Sequence, residues 1–120
     1  MLIFKKLVKR PNEKVFNRLL DLAEKKDFEV YDISLPKGID GLYCSLGEKR
    51  QVILLDKVKV GNSLNFVFAH ELGHATLHKD KTNTALYFKD KGHNRRAERE
   101  ADRFAGKLLK LLNRRYFYGN

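Results

Sequence analysis

The residues with the clearest chemical potential in this sequence lie in one short segment, His70-Glu71-Leu72-Gly73-His74, an instance of the pattern HExxH. On an α-helix, residues four apart lie one turn apart on the same face, so His70 and His74 can bind one metal ion together. Glu71 is offset from His70 by about 100°, which keeps it out of that ligand pair but within reach of a metal-bound water. The segment therefore predicts a zinc site with a general base beside it.

Two imidazoles leave zinc short of ligands, because a catalytic site usually has three protein ligands and a fourth position open to water. The single cysteine, Cys44, cannot build a thiolate site alone. Glu98 and Asp102 lie at the edge of the apolar stripe of the last predicted helix, whereas Glu100 lies beside Lys107 on its polar side. We predict Glu98 as the third ligand of one zinc ion, Asp102 as a hydrogen-bond acceptor for a zinc-bound histidine, and Glu100 as a surface residue.

Three other side chains have a conceivable role at the metal. His78 continues the face of His70 and His74 by one more turn, but three ligands suffice, and a histidine at a helix end is more often a dipole or packing residue. His93 and Tyr87 could each donate to a developing oxyanion, although a loop residue is more often simply exposed. We expect that His78 does not bind the metal, and the oxyanion donor stays unassigned.

The N-terminal half of the sequence predicts one helix and three strands. After Pro11, which suits a first helical turn, apolar residues at helical spacing indicate an amphipathic helix that ends at about Lys26. Short segments rich in β-branched and aromatic residues follow, separated by turn residues. They predict a small three-stranded antiparallel sheet from residues 28–33, 42–46 and 52–55.

The C-terminal half predicts the two helices that carry the site. Residues 61–63, Gly-Asn-Ser, offer an N-cap for a helix over residues 64–78 that is apolar on most sides and hence largely buried. Gly73 in this helix leaves room against a neighbouring element. Residues 79–93 are predicted as a loop, and residues 94–112 as a final helix with Asn94 as its cap.

The composition is that of one globular domain. The chain has 120 residues, of which 42% are hydrophobic and 33% are charged, so residues 1–120 are expected to form a single domain of the α+β class with a modest core. No apolar run approaches the roughly 20 residues that a bilayer-spanning helix needs, and lysines interrupt the N-terminal segment too early for a secretory signal. We expect a cytoplasmic protein without a membrane partner.

The net charge of +10 would attract nucleic acid, an acidic protein or an anionic membrane. The basic residues are spread along the chain among Asp and Glu, and they are not interleaved with aromatic residues as in a single-strand binding face. We therefore expect a solvated surface and no direct binding of nucleic acid.

Two motifs occur as a pair, one in each of the site helices. They are FAHELGH at 68–74 with LH at 77–78, and EREADRFA at 98–105 with LL at 108–109. This pair resembles the ImmA/IrrE family of bacterial and phage metallopeptidases over roughly residues 28–112. The resemblance implies a minimal zincin-like fold, with an HExxH helix and a C-terminal glutamate helix. It also implies that His70, His74 and Glu98 bind zinc and that Glu71 is the base.

The resemblance further implies the substrate class. Members of this family often cleave a helix-turn-helix repressor, which derepresses a mobile element, a prophage or stress-response genes. The resulting prediction is a zinc endopeptidase with an antirepressor role.

Two other functions compete with this prediction. The first is a zinc-stabilised protein that binds and sequesters a regulator without cutting it, although a structural zinc site usually has four closed ligands and needs no base such as Glu71. The second is a nucleic-acid-binding protein that uses the net positive charge, which would leave the buried HExxH motif without a use. In a mixed case, the basic surface guides the peptidase to an acidic or DNA-bound repressor.

Overall fold

The computed structural model describes residues 5–46, 50–78 and 95–118. It has the predicted α+β class, with three helices and a four-stranded mixed sheet among the described residues. The elements in chain order are β1 (Lys5–Lys6), α1 (Lys14–Lys25), β2 (Phe28–Ile33), β3 (Gly41–Leu46), β4 (Arg50–Asp56), α2 (Gly61–Leu77) and α3 (Arg95–Tyr118). The predicted loop over 79–93, with Tyr87 and His93, and the cap at Asn94 lie outside the described residues.

The sheet corrects the prediction of three antiparallel strands. Its strand order is β1-β2-β4-β3, and although β3 runs antiparallel to β4 and β1 to β2, strands β2 and β4 are parallel, with Val30 opposite Ile53. Val52, Ile53 and Leu55 of β4 are all buried, as in a central strand with both faces covered. Strand β3 thus pairs with one edge of β4, and β2 pairs with the other edge and runs in the same direction as β4.

Helix α1 packs its apolar stripe onto the core of the domain. Phe16, Leu19 and Ala23 are buried, and the ring of Phe16 meets that of Phe68 on α2 edge to face, with centroids 5.9 Å apart. The helix begins at Lys14 rather than in the turn that contains Pro11. Its start is held by two side-chain bonds of 2.7 Å, because the Arg10 backbone N–H donates to Asn17 Oδ1 and the Asn17 amide donates to the Arg10 carbonyl.

Helix α2 is largely buried, as the sequence predicts. It contacts α1, β3, β4 and α3, and eight of its residues are buried: Leu64, Phe68, Ala69, Glu71, Leu72, Gly73, His74 and Ala75. The predicted N-cap was misplaced, since the helix begins at Gly61 and its cap residue, Val60, makes no side-chain hydrogen bond. Gly61 has a φ of 60°, which a glycine adopts without strain at the turn that leaves β4.

The close packing of α3 against α2 depends on Gly73. A Cβ atom at Gly73 would lie 3.2 Å from the Cα of Ala101 and 3.1 Å from Cδ1 of Phe104, so the predicted need for room at this glycine is confirmed. Helix α3 continues beyond its predicted end at Leu112 to Tyr118. None of the helices in the described ranges has the length and apolar character needed to cross a bilayer.

Candidate metal centre

The facing surfaces of α2 and α3 bring together the three predicted metal ligands. His70 and His74 lie one turn apart on α2, and their Nε2 atoms are 3.0 Å apart. Glu98 on α3 lies opposite them, with Oε1 3.0 Å from His70 Nε2 and Oε2 3.1 Å from His74 Nε2. The three donor atoms all lie within 4.8 Å of one another. The side chains of His70, His74 and Glu98 are 14%, 1% and 20% exposed, so the cluster is buried beneath the surface.

The geometry of this cluster fits a zinc ion. With Zn–N and Zn–O bonds of roughly 2.0–2.1 Å, donor atoms around a tetrahedral ion lie about 3.3 Å apart, close to the separations between these side chains. Glu98 Oε2 is buried and accepts no hydrogen bond within the described part of the chain, although His74 Nε2 is 3.1 Å away. A buried carboxylate oxygen of this kind is costly unless a cation or a donor compensates it. Two imidazoles and one carboxylate are also a donor set that zinc accepts.

The charges in the cluster favour an ionised carboxylate. Burial alone would raise the pKa of Glu98, but the close approach of the His70 and His74 rings outweighs burial and lowers that pKa from 4.5 to about 2. For His74, burial disfavours the charged imidazolium and lowers the pKa, and the neighbouring histidines His70 and His78 lower it further. For His70, burial works in the same direction but is overcome by Glu98, Glu71 and Asp102, so the pKa of His70 is raised.

Glu71 lies outside the ligand cluster but lines the same cleft as His70 and Glu98. Its side chain is buried and approaches the start of β3, because a Cβ atom built on Gly41 would lie 3.1 Å from Glu71 Cγ and 3.3 Å from Glu71 Oε2. A cleft of about 240 Å³ lies at this point between β3, α2 and α3. Its lining residues are Asp40, Gly41, Phe66, Val67, His70, Glu71, Glu98 and Asp102.

Asp102 lies next to His70, the contact that its predicted role requires. Its Oδ1 atom is 2.7 Å from His70 Nδ1, the ring nitrogen that does not face the ligand cluster. A carboxylate in this position accepts the Nδ1–H of His70 and so leaves the Nε2 lone pair available to a metal.

The prediction of Glu100 as a surface residue was incomplete. Its side chain is 45% exposed, but its Oε1 atom is 2.9 Å from Nε2 of His78, which is buried. Nδ1 of His78 in turn lies 3.0 Å from Nδ1 of His74. His78 is not among the three clustered residues, and the expectation that it does not bind the metal stays a prediction. The signal for this contact was the third histidine at four-residue spacing on α2.

Comparison with known proteins identifies the family of the chain. A family model described as the IrrE N-terminal-like domain matches residues 23–117, a range that includes both motifs and every predicted site residue. No curated protein and no solved structure matches the chain, so the zincin-like character of the fold stays a prediction. Because the family model covers most of the chain, the protein belongs to the IrrE N-terminal-like family of metallopeptidases, the ImmA/IrrE family.

Proposed function

We propose that this protein is a zinc-dependent endopeptidase that hydrolyses a peptide bond in a protein substrate. The observation that carries the proposal is the convergence of His70, His74 and Glu98, together with a cleft that His70, Glu98 and the buried Glu71 line. Membership of a metallopeptidase family supports the same conclusion. A structural zinc site would need neither the cleft nor the adjacent carboxylate, since such sites are usually closed by four protein ligands.

Each side chain of the site has a separate role in the proposed hydrolysis. A zinc ion held by His70, His74 and Glu98 would polarise the scissile carbonyl and lower the pKa of a bound water toward about 7. Glu71 is placed to accept the proton of the attacking water and to deliver it to the leaving amine. Asp102 keeps the ring of His70 oriented through the bond to Nδ1.

The cleft also indicates how a polypeptide could lie in it. In the described sheet, β3 is an edge strand, and its first residue, Gly41, lines the cleft next to Glu71. An extended segment of substrate can add to such an edge through backbone hydrogen bonds, which depend little on its sequence. Phe66 is 41% exposed at the cleft and offers an apolar contact to a substrate side chain.

For the substrate itself we propose a helix-turn-helix transcriptional repressor. The support is the family to which the chain belongs. The net charge of +10 suits an acidic protein or one already bound to DNA. In either case, added salt would slow cleavage without changing the zinc content.

The test combines metal content with cleavage. We expect about one zinc per chain in the wild type and in Glu71→Gln, and loss of zinc in Glu98→Ala. Cleavage of a purified helix-turn-helix repressor is then followed by mass spectrometry of the fragments. Only the wild type and a control, Glu24→Gln, which removes an exposed carboxylate on α1, should cut.

Three results would contradict parts of the proposal. A wild-type protein that binds no metal would contradict the proposed zinc site. Cleavage by Glu71→Gln at the wild-type rate would remove the role of Glu71. A zinc-loaded wild type that binds the repressor but leaves it intact would favour the non-catalytic alternative, in which the protein sequesters a regulator.

A further inference from the structure

We propose that Glu100, acting through His78, is a positioning residue for the zinc ligand His74. The inference rests on the zinc site of the proposed function and extends it to two residues outside the set of three clustered ligands. Two close atom pairs define the connection: Glu100 Oε1 lies 2.9 Å from His78 Nε2, and His78 Nδ1 lies 3.0 Å from His74 Nδ1. The other ring nitrogen of His74, Nε2, faces His70 and Glu98.

The direction of these hydrogen bonds follows from the chemistry of the groups. An ionised carboxylate can only accept, so Nε2–H of His78 donates to Glu100. A neutral imidazole carries one proton, which leaves His78 Nδ1 as an acceptor for Nδ1–H of His74. His74 then presents the lone pair of Nε2 to the metal site. Glu100 thereby selects the tautomer of His74 that a metal ion requires.

The location of the two residues agrees with this role. His78 is the C-cap residue of α2, one turn beyond His74, and is only 6% exposed. A buried imidazole without partners would be costly, and both of its ring nitrogens have one here. Glu100 stands at the rim of a separate cavity of about 420 Å³, lined also by Leu77, His78 and Arg103. The bond thus links a buried ligand to the protein surface.

The connection also completes a pattern across the α2–α3 interface. His70 is held directly by Asp102, at 2.7 Å, and His74 is held by Glu100 through His78. Each histidine ligand therefore has its own carboxylate from α3, the helix that also supplies Glu98. Loss of an outer partner of this kind typically weakens metal binding by about 10–100-fold.

The experiment measures the zinc dissociation constant by competition with a chromophoric chelator at pH 7.5. The variants are Glu100→Ala, Glu100→Gln, His78→Phe and the double variant with Glu100→Ala and His78→Phe. Glu24→Ala is the matched control, because it removes one exposed carboxylate from α1, far along the chain from the site. Urea unfolding of each metal-free variant checks that the variant folds. The Glu100 side chain is 45% exposed, so the Glu100 variants are expected to fold, and they decide the outcome if the His78 variant does not fold.

We expect Glu100→Ala to raise the zinc dissociation constant by about tenfold or more, and Glu24→Ala to leave it within about twofold of the wild type. Glu100→Gln should weaken zinc binding less than Glu100→Ala does, because an amide oxygen can still accept the hydrogen bond from His78. In the His78→Phe background, Glu100→Ala should have no further effect, since Glu100 acts through His78.

Two results would overturn the inference while the proposed zinc site stands. One is a wild type that binds one zinc and a Glu100→Ala variant of equal affinity. The other is an equal loss from Glu100→Ala in both backgrounds, which would mean that Glu100 acts through its charge alone. A wild type that binds no zinc would overturn the proposed function and the inference together.

Discussion

Replacing Gly73 by alanine should separate α3 from α2 and weaken the metal site that lies between them. The added Cβ atom would lie 3.1 Å from Cδ1 of Phe104, 3.2 Å from Cα of Ala101 and 3.3 Å from the Ala101 carbonyl oxygen. Carbon atoms are best placed about 3.5–4.0 Å apart, so the helices must move apart by a few tenths of an ångström. Two of the three atoms belong to the backbone of α3, and no side-chain rotation can relieve them.

The expected magnitude combines two opposing effects. Forcing an extra carbon into a packed interface typically costs about 1–3 kcal/mol. Exchange of glycine for alanine within a helix contributes about 1 kcal/mol in the opposite direction. We therefore expect the free energy of unfolding to fall by about 0–2 kcal/mol. Glu98 is one turn before Ala101 on the same helix and moves with it, so zinc affinity should fall when that movement exceeds the tolerance of about 0.2 Å for metal ligands.

Gly106 provides the matched control for this prediction. It is also a glycine within a helix, but a Cβ atom built there meets nothing within 4 Å. Gly106→Ala should raise the free energy of unfolding by about 0.5–1 kcal/mol and leave the zinc dissociation constant unchanged. Both variants are measured by urea unfolding without metal and by chelator competition. If Gly73→Ala matched Gly106→Ala in both assays, the steric reasoning would be refuted.

Further perturbations test other parts of the structure. The pKa of His70 is raised above 6.5, and a histidine must be deprotonated to bind zinc. In chelator competition, the zinc affinity should therefore fall by up to about tenfold per pH unit between pH 8 and pH 5.5. A constant affinity over this range would contradict the prediction. The hydrogen bond from Arg50 lowers the pKa of Glu29 below 4.5. Glu29→Gln should therefore lower the free energy of unfolding by less than about 1 kcal/mol in urea at pH 7, and this loss should shrink as the pH falls below 4.5. An equal loss of stability at pH 7 and below pH 4.5 would argue against the ion pair between Glu29 and Arg50. Gly41→Ala places a Cβ 2.6 Å from Val67 Cγ1 and should lower the free energy of unfolding by about 1–3 kcal/mol, whereas wild-type stability would disprove the close approach.

The helical parts of the site could be predicted from the sequence because a helix converts spacing into direction. Four residues return to the same face, so His70 and His74 had to share a face once their segment was helical. The same argument placed Glu98 nearer the core than Glu100, and the structure puts Glu98 beside both histidines. Residues 52–55 were likewise predicted as a strand, and they lie within β4.

Only the tertiary structure decided which elements meet and in what direction. An apolar strand pattern specifies burial but not the direction of its partner, so the parallel pairing of β2 with β4 could not be foreseen. Glu100 was predicted on the polar side of α3, and its side chain is 45% exposed, yet that direction gave no information on what α2 presents to it. His78, one turn beyond the ligands, reaches Glu100 across the interface. A residue's direction on its own helix is local, whereas its partners depend on how two helices pack.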